Sequence, residues 1–183
     1  MRTWRRSLDL HLHLLVMVTV CVASCGRPPG LPVQECGNDA IDVSGSSVTL
    51  RDIAIRAAHD KGISVGEGST VQGESIRITD SEIACASKDR STLTLEGVEL
   101  SSCRVGFAAF QKKPEFGPGT IDVQGLVIEN VERHHLIAPA SVLRIDGIVT
   151  EDFTDDVEAL LYGVEYGTSS EESPTPEPDR QQP

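Results

Sequence analysis

Aromatic side chains are scarce: four Phe, two Tyr and one Trp make up 4% of the 183 residues. So few rings cannot fill a core, nor line a channel on which unpaired bases stack. Basic residues are also in deficit, with 16 Lys and Arg against 28 Asp and Glu, for a formal net charge of −12. Such a surface repels phosphate backbones, which argues against nucleic acid as a partner. No apolar run reaches the ~20 residues of a membrane-spanning helix. Missing too is any spaced set of acids, histidines or nucleophiles typical of a catalytic centre, so neither an enzyme nor a cofactor is expected.

What the chain does have begins at its N-terminus. Arg2, Arg5 and Arg6 precede a short apolar stretch, residues 14–23 (LLVMVTVCVA), in the order of an export signal. The stretch ends Val22-Ala23-Ser24-Cys25, which resembles a bacterial lipobox. In that pattern residues 1–24 are removed and Cys25 carries a diacylglycerol that holds the protein at a membrane surface. An ordinary signal cut near Ala23 or Ser24 is the alternative. Residues 25–37, rich in Gly and Pro, read as a tether. Cys36, Cys85 and Cys103 remain for the folded part, as one bridge with a spare thiol or as three unpaired thiols.

Residues 38–150 repeat with a period near 22. Ile41, Ile63, Cys85, Phe107 and Ile137 form one apolar column, and Val48, Val71, Leu93, Ile121 and Leu143 a second. Ile53, Ile76, Val98, Leu126 and Ile148 form a third, with Ile55, Ile78, Leu100 and Ile128 beside it. Leu50, Leu95, Val123 and Ile145 make most of a fifth. Within each coil apolar residues alternate, as in Val48-Thr49-Leu50, the pattern of half-buried strands. Short strands repeating at this period make a solenoid, in which each coil buries its inner face only against its neighbours. Ser46, Ser69, Ser91, Gly119 and Ser141 occupy one turn in register, suited to hydroxyl-to-backbone bonds. The spacing predicts about five coils, with an insertion at residues 111–119 and a two-residue excess near Glu132–His135. Residues 151–167 read as a C-terminal cap: Asp155 or Asp156 starts a short helix carrying Val157, Leu160 and Leu161 over the open end of the core. The first coil has no such cover, which leaves an edge for self-association. Residues 168–183 form a Pro-, Ser- and Glu-rich disordered tail.

Three stretches are more specific: Asp60-Lys61-Gly62-Ile63-Ser64-Val65-Gly66-Glu67-Gly68-Ser69, Ala86-Ser87-Lys88-Asp89, and Gln111-Lys112-Lys113-Pro114-Glu115-Phe116-Gly117-Pro118. With them the chain resembles the right-handed parallel β-helix proteins of the pectate-lyase-like superfamily. Within it, the three stretches resemble recurrent coils in a group of bacterial secreted proteins whose β-helix often follows a domain similar to the spore-coat-protein-H kinase-like fold. No such domain is present in this sequence. The resemblance implies an all-β, right-handed parallel β-helix and an extracytoplasmic location on a bacterial envelope. Active members of the superfamily place clustered acids and a base on one strand face. Here the outward column Asp42, Ser64, Ala86, Ala108 and Ala138 holds one acid followed by small residues.

Two sets of residues are candidates for binding. The loop carries Lys112 and Lys113 on an acidic body, with Phe110 and Phe116 for contact with a sugar or a protein. A polar ladder, Asn38, Asp60, Glu82, Arg104 and His134, runs before the first strand, with Asp39 and Lys61 beside it. Its alternative is a solvated column with internal charge pairing, such as Asp39 with Lys61. His134 and His135, adjacent on a strand, point to opposite faces and do not suggest a metal site. The sequence thus reads as a non-catalytic, envelope-anchored module for a glycan or partner protein. A polysaccharide lyase or hydrolase, or a remnant of a larger protein, are the rivals.

Overall fold

A computed structural model of the chain describes residues 17–20 and 31–163; the lipidation candidate Cys25 and the tail lie outside them. The architecture is a parallel β-solenoid of about five turns. Sheet A comprises β1 (Met17–Val20), β3 (Ile41–Ser44), β5 (Lys61–Gly66), β7 (Ile83–Lys88), β9 (Val105–Phe110) and β11 (Arg133–Ile137), in that order across the sheet. Sheet B comprises β2 (Leu31–Cys36), β4 (Ser47–Ala58), β6 (Thr70–Thr79), β8 (Thr92–Ser101), β10 (Thr120–Glu129), β12 (Val142–Ile145) and β13 (Ile148–Val149). One helix follows, α1 (Val157–Tyr162).

Each long strand of sheet B bends at its middle. In β6 the buried residues are Val71, Gly73, Ile76 and Ile78, so the alternation slips by one at Glu74-Ser75. Asp52, Ser75, Gly97 and Gly125 stack at this slip with φ of 53°, 57°, 66° and 67°. A left-handed residue in each coil turns the chain. Every coil therefore offers three inward-facing segments, and the apolar columns fill the space between them. Ile41, Ile63, Cys85 and Phe107 stack directly, as do Val71, Leu93, Ile121 and Leu143. The serine turn works as its composition implies: Ser46 and Ser69 each donate a backbone N–H, at 3.1 Å, to the hydroxyl of the serine in the next coil. Where that column reaches Gly119, a Cβ would stand 2.0 Å from the carbonyl oxygen of Ser87. Only glycine lets the inserted loop return so close. Cys36, Cys85 and Cys103 are all buried, and Cys85 and Cys103 are free thiols.

The final coil corrects the register read from sequence. His135, not Ile137, stacks on Phe107; Leu136, not Ala138, follows Ala108. Phe107 to His135 spans the same interval as Leu93 to Ile121, so the excess near Glu132–His135 does not exist and the single insertion is residues 111–119. A hydrophobic pattern refuses a histidine an inward slot, but here the coil is terminal. Its Nε2 lies 3.6 Å from Asp152 Oδ2 across the open end. Ile148 leaves its column too. Asp146 and Gly147, with φ of 48° and 83°, turn β12 back into an antiparallel hairpin with β13, and Ile148 is 75% exposed.

The ends differ from the sequence reading. β2 falls in the expected tether and pairs in parallel with β4. Pro32 masked its alternation, yet Val33 and Cys36 are buried, and proline is tolerated on an edge strand. β1 lies within the expected export signal and pairs antiparallel with β3, along the edge read as open. At the other end α1 forms, capped by Asp156, whose carboxylate accepts the Ala159 N–H at 2.9 Å. It does not cover the end of the core. Residues 150–154 run along the last coil, Thr150 donating to Leu143 and Thr154 to Ile137. The helix then lies on the outer face of sheet A, packing Val157 and Leu161 against Ile83, Ala86, Val105, Ala108, Phe110 and Leu136.

Candidate functional site

The outer face of sheet A has two halves. Over β7, β9 and β11 it is apolar and covered by α1. Ala86 and Ala108, small side chains in the outward column, are what allow a helix to approach. Over β3, β5 and the end of β7 the same face is polar and left open. There Asp42, Gly66, Lys88, Asp39, Asp60, Lys61 and Glu67 line a cleft of about 310 Å³, which the Lys112–Lys113 loop and Tyr162 of α1 close on two sides. The three stretches singled out in the sequence meet in it, one from each of three successive coils.

Lys61 is 2% exposed, and its ammonium lies 2.5 Å from Asp60 Oδ2 and 3.4 Å from Asp39 Oδ1. Burial pushes its pKa down, but Asp39 and Asp60 outweigh that and hold it above its ordinary value. Burial raises the carboxyl of Asp39, a shift that Lys61 only partly offsets. The ring of Tyr162 lies against this pair, 5.4 Å from Nζ of Lys61 to the centroid, and burial pushes its hydroxyl up to about 12.

The opposite wall is built by Asp89. Its Oδ1 accepts the backbone N–H groups of Lys112 and Lys113 at 2.8 and 2.7 Å, while Oδ2 is buried with no hydrogen-bond donor. A carboxylate that gathers two successive amides fixes the start of the inserted loop. Lys113 then pairs with Glu67, which also accepts from Ser44. These hydrogen bonds hold the Glu67 carboxyl below its usual range. Lys112 places Nζ 4.2 Å from the Tyr162 ring centroid, within cation–π range.

Lys88 differs from the other lysines. Its side chain lies over Gly66, where a Cβ would meet Lys88 Cε at 3.1 Å, and Nζ donates to Ser64 Oγ at 2.7 Å. Among the described residues it makes no ion pair. Burial lowers its pKa, with Asp42 the foremost influence in the opposite direction. The carboxylate of Asp42 has no hydrogen bond or ion pair among the described residues. An amine 2.7 Å from a serine hydroxyl is the contact of a base-activated nucleophile. Ser64, however, is 0% exposed and does not line the cleft, so no substrate carbonyl reaches its Oγ. What the arrangement does offer is recognition: the ammonium of Lys88 and the carboxylate of Asp42, neither in an ion pair among the described residues, on a floor held rigid by stacked strands.

The residues proposed from sequence scatter across this geometry. Lys112 and Lys113 are at the cleft, engaged with Tyr162 and Glu67. Phe110 is 1% exposed, packed edge-on to Tyr162 at 6.4 Å, and is therefore a support for the helix rather than a contact surface. Phe116 is half-buried in the loop. Of the ladder, Asn38 and Asp60 line the cleft. Glu82 and Arg104 pair at 2.6 Å outside it, and His134 is exposed and off the ladder, since Glu132 follows Arg104. The pairing of Asp39 with Lys61 occurs as the alternative reading held, though buried rather than solvated. Sequence reasoning missed Tyr162, and did not name Asp42, Lys88 or Asp89 as site residues. The clue to Tyr162 was the run of small outward residues beside Phe110, which requires a covering element.

A second groove of about 390 Å³ follows the bend column of sheet B, past Asp52, Ser75, Arg77, Gly97 and Glu99. Its charges neutralise one another at the surface, Arg77 with Glu99 at 2.7 Å, and it holds no buried charge without a partner. Among the described residues no group of His, Cys, Asp and Glu could hold a metal ion, and no helix is long and apolar enough to cross a membrane. No family model, curated protein or solved structure matches the chain.

Proposed function

We propose that this is a non-catalytic, exported β-helix module, lipid-anchored at Cys25 to a bacterial envelope, which binds a glycan or a segment of a partner protein in the cleft on the outer face of sheet A. A relationship to the pectate-lyase-like superfamily, and to β-helices that accompany spore-coat-protein-H-like domains, belongs to the same proposal. One observation carries it: a solenoid face that is sealed by a helix over one half leaves its other half open around Lys88, a lysine with no carboxylate partner among the described residues. A half-buried cation without a counter-ion costs stability, and folding alone gives no reason for it. The bias against catalysis rests on the outward column, where Asp42 is followed by Ser64, Ala86 and Ala108. A lyase or hydrolase needs converging acids and a base on one face.

The test uses the full chain in detergent, screened against panels of glycans and short peptides, with Lys88→Met and Lys112→Ala alongside. Binding of a panel member that Lys88→Met weakens by about tenfold or more supports the reading. Binding that neither substitution alters would move the site elsewhere. Release of unsaturated or reducing ends from an acidic polysaccharide would make the protein an enzyme and overturn it.

A further inference from the structure

The charges around the cleft pair off almost completely. Lys61 takes Asp39 and Asp60, Lys113 takes Glu67, Asp89 is held by two backbone amides, and Lys112 lies on the ring of Tyr162. Two charged groups of the lining have none of these. Lys88 and Asp42 line the same cleft, and Lys88 feels the field of Asp42, yet no ion pair forms between them. We propose, resting on the reading of this cleft as a binding site, that its ligand is a small zwitterion. The ligand's carboxylate takes Nζ of Lys88, and its ammonium takes the carboxylate of Asp42. The chemistry is that of a free α-amino acid, or of a short peptide with both ends free.

Three observations narrow the ligand to this class. An anion alone would match Lys88 and leave Asp42 facing a new negative charge; a cation alone would do the reverse. Only a ligand with both signs neutralises the site, and in a partly desolvated cleft unmatched charge is expensive. Secondly, about 310 Å³ is at the small end of ligand pockets and suits an amino acid or a few peptide units better than a glycan chain. Thirdly, the aromatic face that a sugar would stack on is already occupied. Tyr162 carries Lys112 on its ring, and Phe110 is buried beneath the helix. The Ser64 hydroxyl, bonded to Nζ of Lys88, holds the ammonium in place before the ligand arrives, which lowers the ordering cost of binding.

The experiment is calorimetric titration of the full chain in detergent with glycine, alanine, glutamate and lysine, and with their di- and tripeptides. N-acetylalanine and alaninamide serve as controls that each lack one charge. The expected result is binding of at least one zwitterion, weakened about tenfold or more by blocking either end. Lys88→Met and Asp42→Asn should each weaken it similarly while unfolding at no lower temperature than the unsubstituted chain. A preference for the free amino acid over its peptides, or the reverse, identifies the source. Blocked analogues that bind as well as the parent overturn the zwitterion. If nothing in the series binds while Lys88→Met still abolishes binding of some other glycan or peptide, the zwitterion falls and the cleft stands. If Lys88→Met affects no binding at all, both fall.

Discussion

At the scale of single residues, two lysines that line the same cleft are expected to behave oppositely. Lys61 is enclosed with two acids; replacing it with Met strands Asp39 and Asp60 without a counter-ion and should cost about 3–5 kcal/mol. Lys88 has no acid within ion-pair reach, and Lys88→Met should raise stability by about 1 kcal/mol, read as a higher midpoint in thermal or urea unfolding. The same contrast has a pH signature. Lys61 has a folded pKa above its ordinary 10.5, so its contribution is fully present below pH 10.5 and is lost as pH rises through the folded value. Lys88 has a folded pKa below 10.5, so the unfolded chain binds the extra proton between the two values. The cost of Lys88 is therefore largest at neutral pH and fades as pH approaches 10.5. The stability gap between wild type and Lys88→Met should narrow over that rise. A gap that widens, or a Lys88→Met protein less stable at neutral pH, would make Lys88 a structural residue and remove the main reason to place a ligand there.

At the scale of elements, the inserted loop and α1 depend on single contacts. Asp89→Ala removes the acceptor of two loop amides and should cost about 1–3 kcal/mol. Hydrogen exchange at Lys112 and Lys113 should accelerate while β6 and β8 keep their protection. Ala108 is 0% exposed beneath the helix; Ala108→Leu overpacks that seam at about 1–3 kcal/mol and should lift α1, with loss of exchange protection confined to the helix. These elements also mark where sequence could and could not be read. The stacked strands were legible because columns such as Ile41, Ile63, Cys85 and Phe107 repeat the same chemistry at the same interval. The last coil was not, because its inward slot holds His135, tolerated only at an end where Asp152 can reach it. The helix itself was legible from Asp156 and its apolar spacing, but its position was not. Nothing local to Val157–Tyr162 says which face receives it, and the answer lies in the small Ala86 and Ala108 of distant coils. The loop lysines were found because they stand out as cations. Asp89 was passed over because its work is done by backbone amides, which leave no mark in a sequence.

At the scale of the molecule, stability should be graded along the solenoid, because each coil touches only its neighbours. Leu95, in the middle, is fully buried between Gly73 and Val123, and Leu95→Ala should cost about 2–5 kcal/mol. Ile145 has a coil on one side only, with the β13 hairpin on the other, and Ile145→Ala should cost about half as much or less in urea unfolding. Equal costs would mean the whole stack melts as one unit. The cleft breaks this nearest-neighbour rule. Its floor comes from β3, β5 and β7, but its end wall is Tyr162, from the last element of the described chain, folded back past two coils to reach Lys61. Synthesis from the N-terminus can therefore assemble every strand and still leave the cleft unfinished. Its end wall arrives only with the final helical turn, so a product cut short after the last coil would carry Lys88 and Asp42, the proposed ligand groups, on a face with no wall beside Lys61.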